Sequence, residues 1–226
     1  MNIAIIVAAG TGSRFSNDRT KQFEPINGKP LITHTIHAFD ACDAVDRIVL
    51  VLSEDGRLRF DEIKSEIKSS KPLTIATGGA SRAESVRNGL AAASPARDDI
   101  VAVHDGARPL VTADEISRTI QKAAEIGAAC LCVEVSDTIK SVLDGTITAT
   151  VDRGALRRAV TPQAFRASIL SEALKNATLD DTITDESMLV EQLGIDVAVV
   201  EGSSRNIKIT RPEDISLAEI LLTTGH

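Results

Sequence analysis

Residues 2–21 read NIAIIVAAGTGSRFSNDRTK, and the first half of this stretch sets the architecture. Residues 3–8 form an unbroken aliphatic run, short enough for a strand and continuous in apolar character. Strands of that kind are buried on both faces, as in parallel sheets. The run ends in Ala8-Ala9-Gly10-Thr11-Gly12-Ser13-Arg14. Small residues let a backbone approach a ligand closely, and successive N–H groups can form an anion nest. Arg14 and Lys21 add positive charge beside it. Open α/β sheets bind ligands at the carboxyl ends of their strands, so an anion site is expected on this loop. Two familiar phosphate motifs fail there. No GxxxxGK[ST] is present, and Phe15 stands where GxGxxG needs its third glycine. Without Arg14 and Lys21 the same letters would serve equally well as a plain tight turn.

Outward from this strand the pattern repeats. Aliphatic runs at 47–52 (RIVLVL), 73–76, 100–103 and 129–135 read as further strands. Between them, helices are expected at 30–39, 61–68, 81–93 and 112–126. The first would place Leu31, Thr35 and Ala38 on one face. Ser81 and Glu84 have capping-box spacing, and Thr112 is an N-cap. A last helix is expected at 210–222, with Pro212 in its first turn. Alternation of this kind predicts an α/β fold with a mostly parallel sheet covered on both faces. With no Gly/Ser/Pro-rich linker and no repeat, residues 1–226 are expected to form one domain.

One segment departs from the alternation. Residues 137–151 (DTIKSVLDGTITATV) read as a β-hairpin about Asp144-Gly145, the type I′ signal. Pairing Leu143 with Thr146 puts Val142 opposite Ile147 and Lys140 opposite Ala149. A lone hairpin is marginal in water, so it needs a surface to lie on. That surface is either its own domain or a second subunit, and the pattern alone leaves the two even.

Composition excludes several functions. The 226 residues are 43% hydrophobic but include five Phe and no Tyr or Trp, so the core is aliphatic and base-stacking platforms are missing. The formal charge of −7, from 25 basic and 32 acidic residues, argues against a nucleic-acid partner. Any phosphate site must be a local cluster of Lys and Arg. Cys42, Cys130 and Cys132 match no metal or CxxC pattern and read as core residues in a reducing compartment. Cys130 and Cys132 would point the same way on a strand. The first residues lack the charge and length of a signal peptide or membrane span, so a cytoplasmic protein without a membrane partner is expected. His34 and His37 lie three apart on a helix with no third ligand in pattern. His104, beside Asp105, reads as a structural hydrogen-bonder.

The motifs narrow the class. AAGTGSRF is followed by KQF (21–23), GKPLITHTI (28–36), GGASRAESV (78–86), HDGARP (104–109), DTIK (137–140), TVDR (150–153), TPQ (161–163), TDE (184–186) and NIKITRPED (206–214). Any one alone would be weak evidence. In this order, over nearly the whole chain, they resemble the 2-C-methyl-D-erythritol 4-phosphate cytidylyltransferase family of the non-mevalonate isoprenoid pathway. The resemblance implies a Rossmann-like nucleotidyltransferase sheet, a three-layer α/β/α sandwich, with a protruding hairpin arm at about 136–153.

The resemblance also implies a reaction. A methylerythritol phosphate oxygen attacks the α-phosphorus of CTP, pyrophosphate leaves, and Mg²⁺ or another divalent cation is required. The nucleophile is already an anion, so the enzyme must supply position and positive charge. Arg14 and Lys21 match the pair that stabilises charge on the α-phosphate and leaving group. Arg153 and Lys208 match the pair that positions the polyol phosphate. Ala8, Ala9, Gly10, Thr11, Gly12, Gly79 and Ser85 match the nucleotide-binding positions. Asp105, Arg108, Thr138, Thr161 and Thr184 match those lining the polyol site. The metal ligands are not readable. In the family the arm, with Thr138 and Arg153, crosses to a partner subunit, which implies a homodimer. Ala80 departs from the acidic residue that the resemblance implies there, and the resemblance carries over no side-chain contact at that position. Ribitol-5-phosphate cytidylyltransferase is the nearest alternative, and Ala9 with Gly106-Ala107 fits it less well. A non-catalytic CTP-binding regulator would not need both charge pairs, and the 78–86 motif disfavours a UTP-dependent pyrophosphorylase.

Overall fold

The computed structural model describes residues 1–10, 15, 21–179 and 182–224. In chain order the strands are β1 (Asn2–Ala8), β2 (Pro25–Ile26), β3 (Lys29–Pro30), β4 (Arg47–Leu52), β5 (Leu73–Thr77), β6 (Ile100–Asp105), β7 (Ala128–Glu134), β8 (Ile139–Leu143), β9 (Thr146–Val151), β10 (Arg157–Arg166) and β11 (Ala198–Glu201). The helices are α1 (Leu31–Asp40), α2 (Glu54–Ile63), α3 (Arg82–Ala93), α4 (Ala113–Ile126), α5 (Ala167–Asn176), α6 (Glu186–Glu191) and α7 (Glu213–Thr223).

Seven strands form one sheet in the order β11-β7-β10-β6-β1-β4-β5. β1 lies between β4 and β6, parallel to both, with Ile5 opposite Val49 and Val103. From β1 the chain builds outward through β4 and β5, then returns to β1's other side for β6. The crevice between the carboxyl ends of β1 and β6 is therefore the topological switch point, where open α/β sheets bind ligands.

Alternation along the central strands feeds two cores. Ala4, Ile6 and Ala8 of β1 pack with α1, α2 and α4, through Ile36, Phe39, Phe60 and Ile116. Ile3 and Ile5 face the other way, toward α3, α5 and α6, through Val86, Leu90, Leu170 and Leu189. The sheet is thus the middle of three layers, as expected, and each fully buried aliphatic side chain contributes about 1.5–3 kcal/mol. A smaller cluster joins Ile26, Leu31, Leu110, Ile209 and Ala218, tying α7 to the loops at the mouth.

Several local expectations need correction. The polar helix expected at 61–68 is α2, Glu54–Ile63, because Ser53 caps it by accepting from the Gly56 N–H. Residues 157–166, where no strand was expected, form β10, the one strand antiparallel to its neighbours β6 and β7. Thr161 therefore sits within the sheet. α7 begins at Glu213, with Pro212 as its N-cap. Asp185 caps α6, accepting from the Met188 N–H.

The hairpin forms as a separate two-stranded sheet, with Asp144 and Gly145 at φ 49° and 77°, as a type I′ turn requires. Leu143 pairs Thr146 and Val142 pairs Ile147. A register shift then places Ser141 opposite Ala149 and Lys140 opposite Thr150, so the expected Lys140–Ala149 pair does not form. A bulge of this kind adds a residue to one strand, here Thr148. Val142, Leu143 and Ile147 on this hairpin are 60%, 66% and 61% exposed.

Candidate active site

Two glycines let the loops at the switch point approach one another. The Gly106 N–H donates to the Val7 carbonyl at 2.8 Å, and a Cβ at Gly106 would lie 2.8 Å from the Ala8 Cβ. A Cβ at Gly78 would lie 2.3 Å from the Ala9 Cβ, so the loops after β1 and β5 meet only because this residue has no side chain. Ser85 Oγ accepts from the Gly79 N–H at 3.0 Å and donates to the Ser81 carbonyl at 3.0 Å. Glu84 has capping-box spacing, but its carboxylate reaches the Ala80 N–H at 2.8 Å. Ser85 is thus buried and shapes the Gly78-Gly79 turn.

On the β1 side, Ala8 is buried, Ala9 half-buried and Gly10 exposed. The Gly10 carbonyl accepts from Gln22 Nε2 at 3.0 Å. Thr11, Gly12 and Arg14 lie outside the described residues. Lys21, in a single 3-10 turn, is buried, and its ammonium donates to the Ile209 carbonyl at 2.9 Å. The Ile209 N–H in turn donates to the Ala107 carbonyl at 2.8 Å. These bonds bring Lys21 beside the turn that follows β6.

Asp105, the last residue of β6, is the centre of the charge. Its Oδ1 accepts from Arg82 Nε at 3.1 Å. Its Oδ2 faces Arg108 Nε at 3.3 Å and Lys208 Nζ at 2.9 Å. Burial alone would push its pKa up, but Arg82, Lys208 and Arg108 outweigh that and hold the carboxyl well below the usual carboxylate range. Arg82 also reaches Glu186 Oε1 at 2.5 Å. Glu186 is fully buried, and burial raises its pKa against the pull of Arg82. Three cations and two carboxylates leave this cluster one positive charge in excess.

Neutral groups fix the cluster in place. Thr161 Oγ1 accepts from the Asp105 N–H at 3.1 Å and is bonded to His104 Nδ1 at 3.0 Å. Asn206 Nδ2 donates to the Thr161 carbonyl, and the Asn206 carbonyl accepts from Arg108. His104 Nε2 contacts the Arg108 carbonyl at 3.1 Å. Complete burial, ahead of the opposing effect of Asp105, pulls the His104 pKa down to about 3. That imidazole is neutral and fully engaged in structure.

The structure therefore brings together Asp105, Arg108, Thr161 and Lys208, with Lys21 close by and the Gly79–Ser85 turn across the loops. It does not bring in the residues of the arm. Arg153 is exposed, and its guanidinium donates to the Ser136 carbonyl at the arm's foot. Thr138 is exposed beside it. Thr184 is exposed, its hydroxyl 3.8 Å from Met188 Sδ. Among the described residues no hydrogen bond or ion pair links Thr138, Arg153 or Thr184 to Asp105. Four residues of the network were not singled out from the sequence: Arg82, Gln163, Glu186 and Asn206. All four fall inside quoted motifs, which was the available signal. Gln163 accepts from the Glu186 and Ser187 N–H groups and donates to Asp185, so it holds the start of α6. Among the described residues, no three His, Cys, Asp or Glu side chains converge as a metal cage would require.

Comparison with known proteins identifies the family. The family profile described as "IspD: 2-C-methyl-D-erythritol 4-phosphate cytidylyltransferase" matches residues 2–224. A Bacillus licheniformis protein named 2-C-methyl-D-erythritol 4-phosphate cytidylyltransferase is 40% identical over 224 residues, covering 98% of this chain and 96% of the relative. A bifunctional enzyme IspD/IspF of Desulfotalea psychrophila is 44% identical over 220 residues. That match covers 96% of this chain, which spans 56% of the relative's length. A crystal structure of a 4-diphosphocytidyl-2C-methyl-D-erythritol synthase matches with TM-score 0.82 at 35% identity, covering 98% of each chain.

Proposed function

The chain belongs to the 2-C-methyl-D-erythritol 4-phosphate cytidylyltransferase family, and from that premise we propose that it forms 4-diphosphocytidyl-2-C-methyl-D-erythritol and pyrophosphate from CTP and 2-C-methyl-D-erythritol 4-phosphate. The observation that carries this reading is the convergence of Arg82, Arg108 and Lys208 on Asp105 at the switch point, with Lys21 beside it, in a chain of net charge −7. An acidic protein that concentrates half-buried cations in one crevice is arranged for a phosphorylated ligand.

In the proposed mechanism, residues 8–12 with Gly79 and Ser85 receive CTP, and Arg14 and Lys21 steady its α-phosphate and the departing pyrophosphate. The polyol phosphate binds toward Asp105, Arg108 and Thr161, gripped by Lys208 and by Arg153. A phosphate oxygen forms the new bond to the α-phosphorus as the α–β bridging bond breaks. The residues supply position and charge, with no covalent enzyme intermediate. Asp105 would address the polyol hydroxyls. Lys208 is paired with Asp105 here, so the incoming phosphate competes for it.

Magnesium fits this donor set in one way. Asp105 and Glu186 are both paired with Arg82, and no three-ligand cage is found among the described residues. The cation would be carried by phosphate oxygens and water, as Mg²⁺ commonly is, and would offset charge on the triphosphate.

Residues 1–226 would act as one catalytic unit, since one sheet takes its strands from residues 2 to 201. The arm, with Thr138 and Arg153, would cross to a second copy and complete its site together with Thr184. The support is the exposed apolar surface of Val142, Leu143 and Ile147, which nothing in the single chain covers among the described residues. A reducing, cytoplasmic setting is supported by three buried cysteines that remain free thiols, two of them with Sγ atoms 3.7 Å apart.

The direct assay supplies Mg²⁺, CTP and either methylerythritol phosphate or ribitol 5-phosphate and records pyrophosphate release. Release with methylerythritol phosphate is expected. Release with ribitol phosphate alone would overturn the substrate, and CTP binding without turnover would favour a regulator. For the shared site, mixing Lys21→Ala and Arg153→Ala dimers should restore activity by subunit exchange. No recovery after demonstrated exchange would place each site within one chain.

A further inference from the structure

Arg82 is assigned no contact with either substrate in the reading above, yet it pairs with two carboxylates in the crevice. It is the first residue of α3, and its guanidinium joins the last residue of β6, Asp105, to the first residue of α6, Glu186. Glu186 Oε2 is buried with no hydrogen-bond partner, and Arg82 is the one countercharge paired with that carboxylate among the described residues. Arg82 engages Asp105 through Oδ1, whereas Arg108 and Lys208 share Oδ2. It thereby fixes the rotation of the carboxylate. It also divides that carboxylate's charge among three cations.

That division matters for Lys208. The Lys208 ammonium is bound at 2.9 Å by Asp105, the group it must partly leave to hold a phosphate. The more strongly Asp105 is neutralised from its far side, the more weakly it holds Lys208. Glu186 acts in the opposite sense, because it draws on the same guanidinium. We propose that Arg82 is a positioning residue that sets how readily Lys208 passes from Asp105 to the polyol phosphate, and that Glu186 tempers it. This rests on the proposed assignment of the Asp105 side to the polyol phosphate.

The proposal predicts opposite signs for two substitutions that break the same ion pair. In Arg82→Gln, Asp105 keeps Lys208 more tightly, and KM for the polyol phosphate rises about tenfold while KM for CTP stays within about twofold. In Glu186→Gln, Arg82 serves Asp105 alone, and KM for the polyol phosphate falls about two- to fivefold. A purely structural staple would make both variants worse together, for both substrates. Arg82→Lys, which keeps the charge but reaches one carboxylate at a time, should fall between wild type and Arg82→Gln, and it serves if Arg82→Gln does not fold. Shifts of the same sign in both variants, equal shifts for CTP and polyol phosphate, or an unchanged Arg82→Gln would each overturn the proposal. Calorimetric binding of methylerythritol phosphate reads it independently of turnover. A wild type without turnover would sink the reaction, whereas equal affinity in wild type and Arg82→Gln would sink the positioning role.

Discussion

At the mouth of the sheet, charged groups are buried and paired with one another; on the hairpin arm, apolar groups stand in water. Asp105 is 7% exposed and meets three cations, while Leu143 is 66% exposed and meets none of the core. Both arrangements cost free energy in an isolated chain. Burying ions is repaid only where each has a partner, and exposing a β-branched or aliphatic strand face is repaid only where something later covers it. The difference separates two kinds of incompleteness. The mouth pairs its charges internally and awaits a ligand that can compete with its own carboxylates. The arm is unsatisfied and awaits a surface.

Four experiments would break or sharpen this contrast. The largest effect is expected at the mouth, where Lys21→Ala should reduce turnover by about 10²–10³ with the fold retained by circular dichroism. Near-normal turnover would remove Lys21 from the chemistry. On the arm, Val142→Asp with Ile147→Asp should weaken self-association by about 100-fold, read by sedimentation, without lowering the melting temperature of the sheet. A chain that stays dimeric would show that the arm is not the contact.

A third test uses the buried histidine. Burial holds the His104 pKa at about 3 in the folded chain, against the ordinary 6.5. As pH falls below the ordinary value, the unfolded chain takes up the proton first. The stability this group confers is therefore full above pH 6.5 and is lost progressively toward the folded value. Wild type should lose about 2 kcal/mol from this source between about pH 7.5 and 5. His104→Asn should flatten that slope in denaturant titrations, and an unchanged slope would mean that the imidazole titrates in the folded protein. The smallest effect belongs to Gly145→Ala. At φ 77° it should destabilise the turn by about 1 kcal/mol and hasten proteolysis at the arm, leaving the denaturation midpoint of the sheet unmoved.

Much of this architecture was legible in the sequence because it is local. Residues 3–8 and 47–52 carry continuous apolar runs, and Asp144-Gly145 carries its own turn. What was not legible lacks a local trace. β10 contains Arg157, Arg158 and Pro162, which interrupt any apolar period, and it forms because β6 and β7 flank it on both edges. The Arg82–Glu186 pair joins residues 104 positions apart, and no spacing rule reaches that far. The charge at Arg14, Lys21 and Lys208 was readable by residue type, but not that Lys208 rests on Asp105. The helix at 61–68 was misplaced because its polar residues look alike on both sides of the Ser53 cap. The arm was recognisable as a hairpin, yet its single-residue bulge has no signature in DTIKSVLDGTITATV.

The bond from Lys21 to the Ile209 carbonyl spans 188 positions, and it has a consequence for the order of synthesis. A growing chain can pair β1 with β4, and later with β6, long before residues 206–209 have left the ribosome. Until they do, Lys21 lacks the carbonyl that holds its ammonium, Arg108 lacks the Asn206 carbonyl, and Asp105 lacks Lys208. The nascent protein can thus possess its sheet while its crevice is still chemically open. A truncated product ending before residue 206 would lack Lys208 and the carbonyls of Asn206 and Ile209, and its site would be disarmed.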